Sequence, residues 1–496
     1  MLSLVRSTKN ALASINKTPQ DVLSLIPNYW EDSDRDNGLI KLTHVCRSWR
    51  EIFTSRPSLW TRLDCASIEK TKIYIERSKL SPLEICLGRV NGVPCRVPAL
   101  ILAAAHIGRL RTLEVVGKLS AILPLLADHL YYHAPLLEKI DINHVRGQTP
   151  TLPNELFSGD LSSLRELCLA GVTTLLPWRG LSNLTTFKFC RVPGDNILST
   201  QLLDFLKYAP HLRHIHFHDS IPNSSNAPAE RVVSLPHLKE LSIVAQPAHS
   251  ILLNHLSIPG GASLRLEFTF SGVESPIPLY LPKPPDNLNN ISHVDAVNLC
   301  FGSEQRSVRL NGPSGELYML GNWASEADLP SAGTGRFLRS VLNRFDISRS
   351  KWLAITRCQY KPRATIPLTE WEPYLFLHSM EELHTLVLSR CHNLHFISTL
   401  NPNKNPDKIV LCPKLEEITL YIKRPDQFHI NKMLKMAEGR AVRGAKLSGI
   451  TIVSMGALAP PKEVFQLRKH VSWVECRFDD ALPAWDALPA TQVQLV

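Results

Sequence analysis

Residues 110–115 read LRTLEV, and the same spacing returns in LEKIDI at 137–142 and LRELCL at 164–169. Each copy places apolar residues at positions one, four and six: Leu110, Leu113 and Val115, then Leu137, Ile140 and Ile142, then Leu164, Leu167 and Leu169. The last two of each trio lie two residues apart, as one face of a β-strand requires. Further copies begin at Leu184, Leu212, Leu238, Val294, Leu383, Leu415 and Leu447. The first steps are 27 residues (110 to 137, 137 to 164) and the last are 32 (383 to 415, 415 to 447). A period of this size accommodates one strand and one return segment per repeat.

The return segments carry helical periodicity at 120–134, 196–210, 369–380, 428–440 and 461–470. Several reach the next strand through a Pro-containing turn, such as HAP or YAP. An earlier unit fits in phase, with a helix over 67–79 and a strand over 82–87. The expectation is an α/β repeat: a leucine-rich-repeat-like solenoid over 66–480, parallel strands inside and helices outside. Uneven steps make it irregular. The pattern breaks around 271–335, which opens on a Pro- and Asn-rich stretch (271–290). Within it VNLCF (297–301), SVRL (307–310) and GELYML (315–320) read as consecutive strands, with NGPSG (311–315) as a tight turn. This predicts an antiparallel β insertion before the repeat resumes near KWLAIT (351–356). Residues 481–496 read as a tail.

Composition limits the function classes. The 496 residues are 44% hydrophobic, enough for a large core. No apolar run is long enough to span a membrane. The start, MLSLVRSTKNALASINK, lacks the apolar core of a secretory leader and reads as a polar arm (1–17). The net charge is +10, yet no block of five Lys or Arg occurs, which argues against a nucleic-acid partner. Eleven scattered cysteines include no Cys-x-x-Cys pair, so reduced thiols in the cytoplasm or nucleus are expected. No phosphate loop, nucleophile elbow or zinc-protease motif is present. The expectation is a non-enzyme without cofactor or metal.

Strand alternation nominates a surface. Residues between the apolar positions face the open side, and solenoids bind partners there. They include Glu114, Lys139, Asp141, Lys188, His214, His216, Glu240, Thr419 and Tyr421. In HLRHIHFHD (211–219) the imidazoles of His214, His216 and His218 share one face. Three readings are open for them: a metal site, contact with a bound partner, or a solvated face.

The N-terminal segment differs in character. TPQDVLSLIPNYW (18–30) predicts a helix capped by Thr18, opened by Pro19 and closed by Pro27, with Val22, Leu23 and Ile26 on its apolar face. A polar loop, EDSDRDNG (31–38), should follow. In LTHVCRSWREIF (42–53), Leu42, Val45, Cys46, Trp49, Ile52 and Phe53 form the stripe of one amphipathic helix. His44 falls on another face from Cys46, so the two make no catalytic pair. RPSLWTRL (56–63) adds Leu59 and Trp60. So short a helical module should leave large residues such as Trp49 and Trp60 partly exposed for a partner.

Residues 18–65 resemble an F-box, in the form found in proteins of mushroom-forming fungi. The resemblance rests on the proline-led first helix, the Val45-Cys46-Arg47-x-Trp49-Arg50 core and Leu59-Trp60. Thr18 stands where the family has Leu, and Asp21 where it has Glu. The resemblance implies docking to the Skp adaptor, and through it a cullin, as the substrate-recognition subunit of a ubiquitin ligase. Pro19, Val22, Leu23, Ile26, Leu42, Val45, Cys46, Trp49, Arg50, Leu59 and Trp60 would form that contact. The repeat would hold a target protein, with Lys139, Asp141, Lys188, His214, His216, His218 and Tyr421 as contacts. The alternative is an interaction scaffold whose F-box joins no ligase.

Overall fold

The computed structural model describes residues 13–30, 32–88, 95–119, 122–123, 132–145, 149–152, 157–159, 161–174, 180–191, 199–220, 232–246, 252–270, 287–301, 305–323, 333–357, 371–389, 393–405, 408–422, 427–454 and 464–478. The chain forms two compact units, Met1–Asn226 and Ala227–Val496. The fold is α/β with mostly parallel strands.

The first unit opens with short helical pieces: Ser14–Lys17, Gln20–Leu23, Ile26–Tyr29, Asp32–Thr43, Arg47–Thr54 and Pro57–Trp60. Local details depart from the sequence reading. Pro19 is the N-cap and Gln20 the first helical residue, one position later than expected. Pro27 lies inside the Ile26–Tyr29 turn, at a first-turn position where its missing N–H costs nothing. Residues 32–38 are helical and not a loop. Gly38 allows this, because a Cβ there would collide with the Trp30 ring.

The single helix expected over 42–53 is two helices. Asp32–Thr43 closes with tight bonds from His44 N to Lys41 O and from Val45 N to Leu42 O. Cys46 is extended (φ −159°, ψ 174°) and caps Arg47–Thr54. Arg50 bridges the break, donating from Nε to Thr43 O at 2.9 Å. Periodicity missed the break because Leu42 and Trp49 are buried on either side of it.

Seven strands follow in the same unit: β1 (Arg62–Leu63), β2 (Leu83–Leu87), β3 (Leu110–Gly117), β4 (Lys139–His144), β5 (Glu166–Ala170), β6 (Thr186–Cys190) and β7 (His214–His218). Each pairs in parallel with the next. Register aligns the repeat into rows. One runs Leu63, Ile85, Leu113, Ile140, Leu167, Phe187, Ile215; the next runs Leu87, Val115, Ile142, Leu169, Phe189, Phe217. None of these side chains is more than 3% exposed. The helix Ser199–Tyr208 packs on this face, with the Phe187 and Phe205 rings 4.5 Å apart. Helices Ile68–Ser78 and Val97–Ala104 also lie between strands, but 120–121 and 124–131 lie outside the described residues.

In most repeats the first apolar residue closes a turn. Leu137, Leu164, Leu184 and Leu212 donate their N–H to the carbonyl three residues back, as do Leu238, Leu383 and Leu415 in the second unit. In APLL, APHL, LPHL and CPKL a proline occupies the second turn position, which its fixed φ favours.

The second unit contains β8 (Val233–Ser234), β9 (Glu240–Ala245), β10 (Leu256–Ser257), β11 (Ser263–Phe270), β12 (Ala296–Phe301), β13 (Gln305–Gly312), β14 (Gly315–Trp323), β15 (Trp352–Arg357), β16 (Thr385–Ser389), β17 (Glu417–Ile422), β18 (Gly449–Ser454) and β19 (Trp473–Phe478). β8 and β10 form a separate parallel pair. The remaining strands pair in the order β9, β11, β14, β13, β12, β15, β16, β17, β18, β19. Among the described residues only β13 runs antiparallel. The three predicted strands of the insertion are thus built into the ladder. β14 pairs with β11, β12 pairs with β15, and the meander crosses the gap in reverse. Gly315 (φ 127°) closes the β13–β14 turn, where a Cβ would strike Ala262 O. The break at 271–290 falls mainly on residues outside the described set.

The thiols also depart from expectation. Cys300 is disulfide-bonded. Eight other described cysteines are free.

Candidate functional site

Two surfaces carry the sequence-predicted residues. On β3–β7 the register lines them up. Lys139, Glu166, Thr186 and His214 form one row; Glu114, Asp141, Cys168, Lys188 and His216 form the next; Asn143, Ala170, Cys190 and His218 form a third. Rows cross strands at about 4.8 Å per step, so neighbouring side chains interact directly.

Charge organises this face. Lys139 Nζ lies 2.8 Å from Glu114 Oε1, and Glu114 is only 8% exposed. Burial works against the Lys139 ammonium, but the Glu114 hydrogen bond, with Asp141 and Glu166 nearby, outweighs it and raises its pKa. Glu114 Oε2 also accepts from Cys86 Sγ at 3.6 Å. Burial pushes the Cys168 thiol up to about 11 and raises Cys190. Arg191 donates to Asn143 Oδ1 at 3.1 Å.

His214 and His216 are half-buried and His218 is exposed, alternating with buried Ile215 and Phe217. His218 Nδ1 is 3.6 Å from Asp219 Oδ2. Among the described residues no group of three His, Cys, Asp or Glu is arranged to hold a metal ion. Glu240, Thr419 and Tyr421 are half-buried on β9 and β17 of the second unit. They belong to a different unit from the histidines.

The helical module divides its predicted contacts in two. Val22 (52% exposed) and Val45 (54%) face solvent, as does Pro19. Arg50 is exposed, while Ile26 and Cys46 are half-buried. Leu23, Leu42 and Leu59 are buried.

The tryptophans are not exposed as expected. Trp49 is 7% exposed, donates to Asn16 Oδ1 and packs edge-on against Phe53. Trp60 is fully buried, donating from Nε1 to Phe53 O at 2.8 Å. Its ring meets Tyr74 at 4.9 Å and lies under the Arg77 guanidinium. Helix Ile68–Ser78 supplies Tyr74 and Arg77, so the repeat's first helix covers the tryptophan left over by the short module. Sequence reasoning missed Leu25 (47% exposed) and Tyr29 (85%), which stand out in the same module.

No helix of the described residues is long and apolar enough to cross a membrane. No protein-family model matches the chain, and no curated protein matches it significantly.

Proposed function

We propose that the chain is the substrate-recognition subunit of a Skp–cullin–F-box ubiquitin ligase. One observation carries this reading. The N-terminal module fills its own interior with Leu23, Trp49, Phe53 and Trp60, yet leaves Val22, Leu25, Tyr29 and Val45 in solvent. Exposed apolar residues at that density on a small surface are expected where a partner covers them. Skp adaptor contacts then centre on Pro19, Val22, Leu25 and Val45. Trp60, Leu23 and Leu59 support the module from within. The mixed charges of β3–β7 hold the target protein.

The burial of Trp60 favours a second reading, an interaction scaffold that docks no adaptor, because it removes an aromatic anchor from the surface. Co-expression of the full chain with the Skp adaptor, followed by size-exclusion chromatography, separates the two. The ligase reading expects co-elution, lost in Val45→Asp with the fold intact. A folded chain that elutes alone supports the scaffold.

A further inference from the structure

We propose that β19 joins two copies of this chain, pairing antiparallel with β19 of a second copy so that the two ladders continue as one sheet. This dimer is independent of adaptor docking by the N-terminal module. Among the described residues β19 pairs with β18 and with no other strand of its unit. Trp473 N donates to Ser448 O at 3.1 Å, so Trp473, Glu475 and Arg477 turn their backbone groups toward β18. Strand alternation turns those of Val474, Cys476 and Phe478 to the outer edge, where a second strand can pair with them.

Exposure marks the same edge. On β18, Ile450 and Ile452 are no more than 2% exposed, whereas their register partners on β19, Val474 and Cys476, are half-buried. The apolar row is left half-covered where the ladder stops. Large apolar groups also stand in solvent at this end of the unit: Trp473 is 39% exposed, and Phe465 in helix Val464–Leu467 is 56% exposed.

Charge selects the occupant. Glu475 and Arg477 share the face opposite Val474 and Cys476, and they form an ion pair at 2.8 Å that is open to solvent. Charges on an edge strand ordinarily keep a second strand away. Here they admit one register among those that bring like faces together. Pairing centred on Glu475 sets carboxylate against carboxylate, and pairing centred on Arg477 sets guanidinium against guanidinium. Pairing centred on Cys476 sets Glu475 of each copy against Arg477 of the other, with Val474 opposite Phe478. In that register the edge groups of Val474, Cys476 and Phe478 exchange their backbone hydrogen bonds. Glu475 and Arg477 then fall in the closely spaced pair, with Cα atoms about 4.5 Å apart, where opposite charges attract most. The edge is complementary to itself, as a two-fold interface requires.

The test is light scattering of the reduced full-length chain over the micromolar range. The expected result is a species of twice the chain mass. Glu475→Arg and Arg477→Glu should each weaken association by about tenfold or more, because each sets like charges face to face. The double exchange should restore the dimer by re-forming both opposed pairs. Both side chains face solvent, so the variants should keep the fold, as circular dichroism checks. A short bis-maleimide added to the wild-type chain should link Cys476 to the second copy's Cys476, identified by peptide mapping. The proposal is overturned if the chain stays monomeric, if either single reversal leaves the dimer intact, or if the folded double exchange stays monomeric. A monomer in which Cys476 crosslinks to residues 479–496 assigns the edge to that segment and overturns it as well. The wild-type crosslink decides the question even if a variant fails to fold.

Discussion

In the first unit β4–β7 keep one face apolar and the other wet, whereas four strands of the second unit, β12, β15, β16 and β18, bury both. On β4–β7 the positions between the apolar rows hold Lys139, Asp141, Lys188, His214 and His216, all open to solvent in part or in full. The corresponding positions on β12, β15, β16 and β18 hold Asn298, Cys300, Ala354, Thr356, Val387, Ser389, Thr451 and Val453. None of these is more than 8% exposed. The second set is uncharged because a charge could not be desolvated there without a partner. A parallel strand covered on both faces is free to lose its alternation, and GITIVS of β18 has done so. Among the described residues β12, β15, β16 and β18 therefore offer no charged strand surface to a partner, whereas β4–β7 do.

Ala354→Asp tests this difference most severely. A carboxylate placed at a position 0% exposed should destabilise the second unit by about 4 kcal/mol or more, read from urea unfolding. A loss below about 1 kcal/mol would mean that this face admits water.

Phe187→Ala strikes the row that the first unit shares with the repeat pattern. It empties a ring packed against Phe189, Phe205 and Phe217 and should cost about 3–4 kcal/mol. The two units need not unfold together, so a transition confined to one of them would sharpen the comparison.

Arg440→Met probes how the second unit tolerates its one fully buried guanidinium among the described residues. Arg440 donates to Leu411 O at 2.7 Å and to Cys412 O at 2.9 Å, fixing the turn before β17. Burial lowers its pKa to about 10. Methionine fills the volume but takes the Arg440 donor from Leu411 O, while Cys412 O keeps the Leu415 N–H, so a loss of about 2–3 kcal/mol is expected in thermal or urea unfolding.

Lys139→Met should cost less, about 1–2 kcal/mol, by taking the ammonium away from the buried Glu114 carboxylate. Here pH supplies the check. The folded Lys139 pKa is raised, so its contribution is fully present below the unfolded lysine value. It is lost as pH rises through the folded value. The gap between wild type and variant should close only in strongly alkaline solution. A gap that closes near neutrality would assign the effect elsewhere.

Lys188→Glu is the smallest expected change, within about 0.5 kcal/mol in stability, because the side chain is exposed. If the β3–β7 face holds a target, this variant should alter binding while the unfolding curve stays put.

The docking module shows why part of the site was legible and part was not. Val22 and Val45 could be nominated from position, and both are exposed. Trp60 could not be assigned correctly from residues 18–65, because the Tyr74 and Arg77 that cover it belong to the next helix. Tyr29 was passed over because a helix was assumed to stop at Pro27, and Leu25 because it was left off the apolar face of Val22, Leu23 and Ile26.

The sequence by itself determined β3–β7, their parallel succession and the apolar rows they share. Their cause is local: a two-residue alternation after a turn that each leading leucine closes. It also marked β12, β13 and β14 as strands. Only the tertiary structure decided that β14 pairs with β11 and β12 with β15, since strand order is set by long-range hydrogen bonds that no local pattern encodes. It also decided the break at Cys46 and which strand faces water reaches. Each of these depends on residues distant in sequence competing for the same space and the same hydrogen bonds.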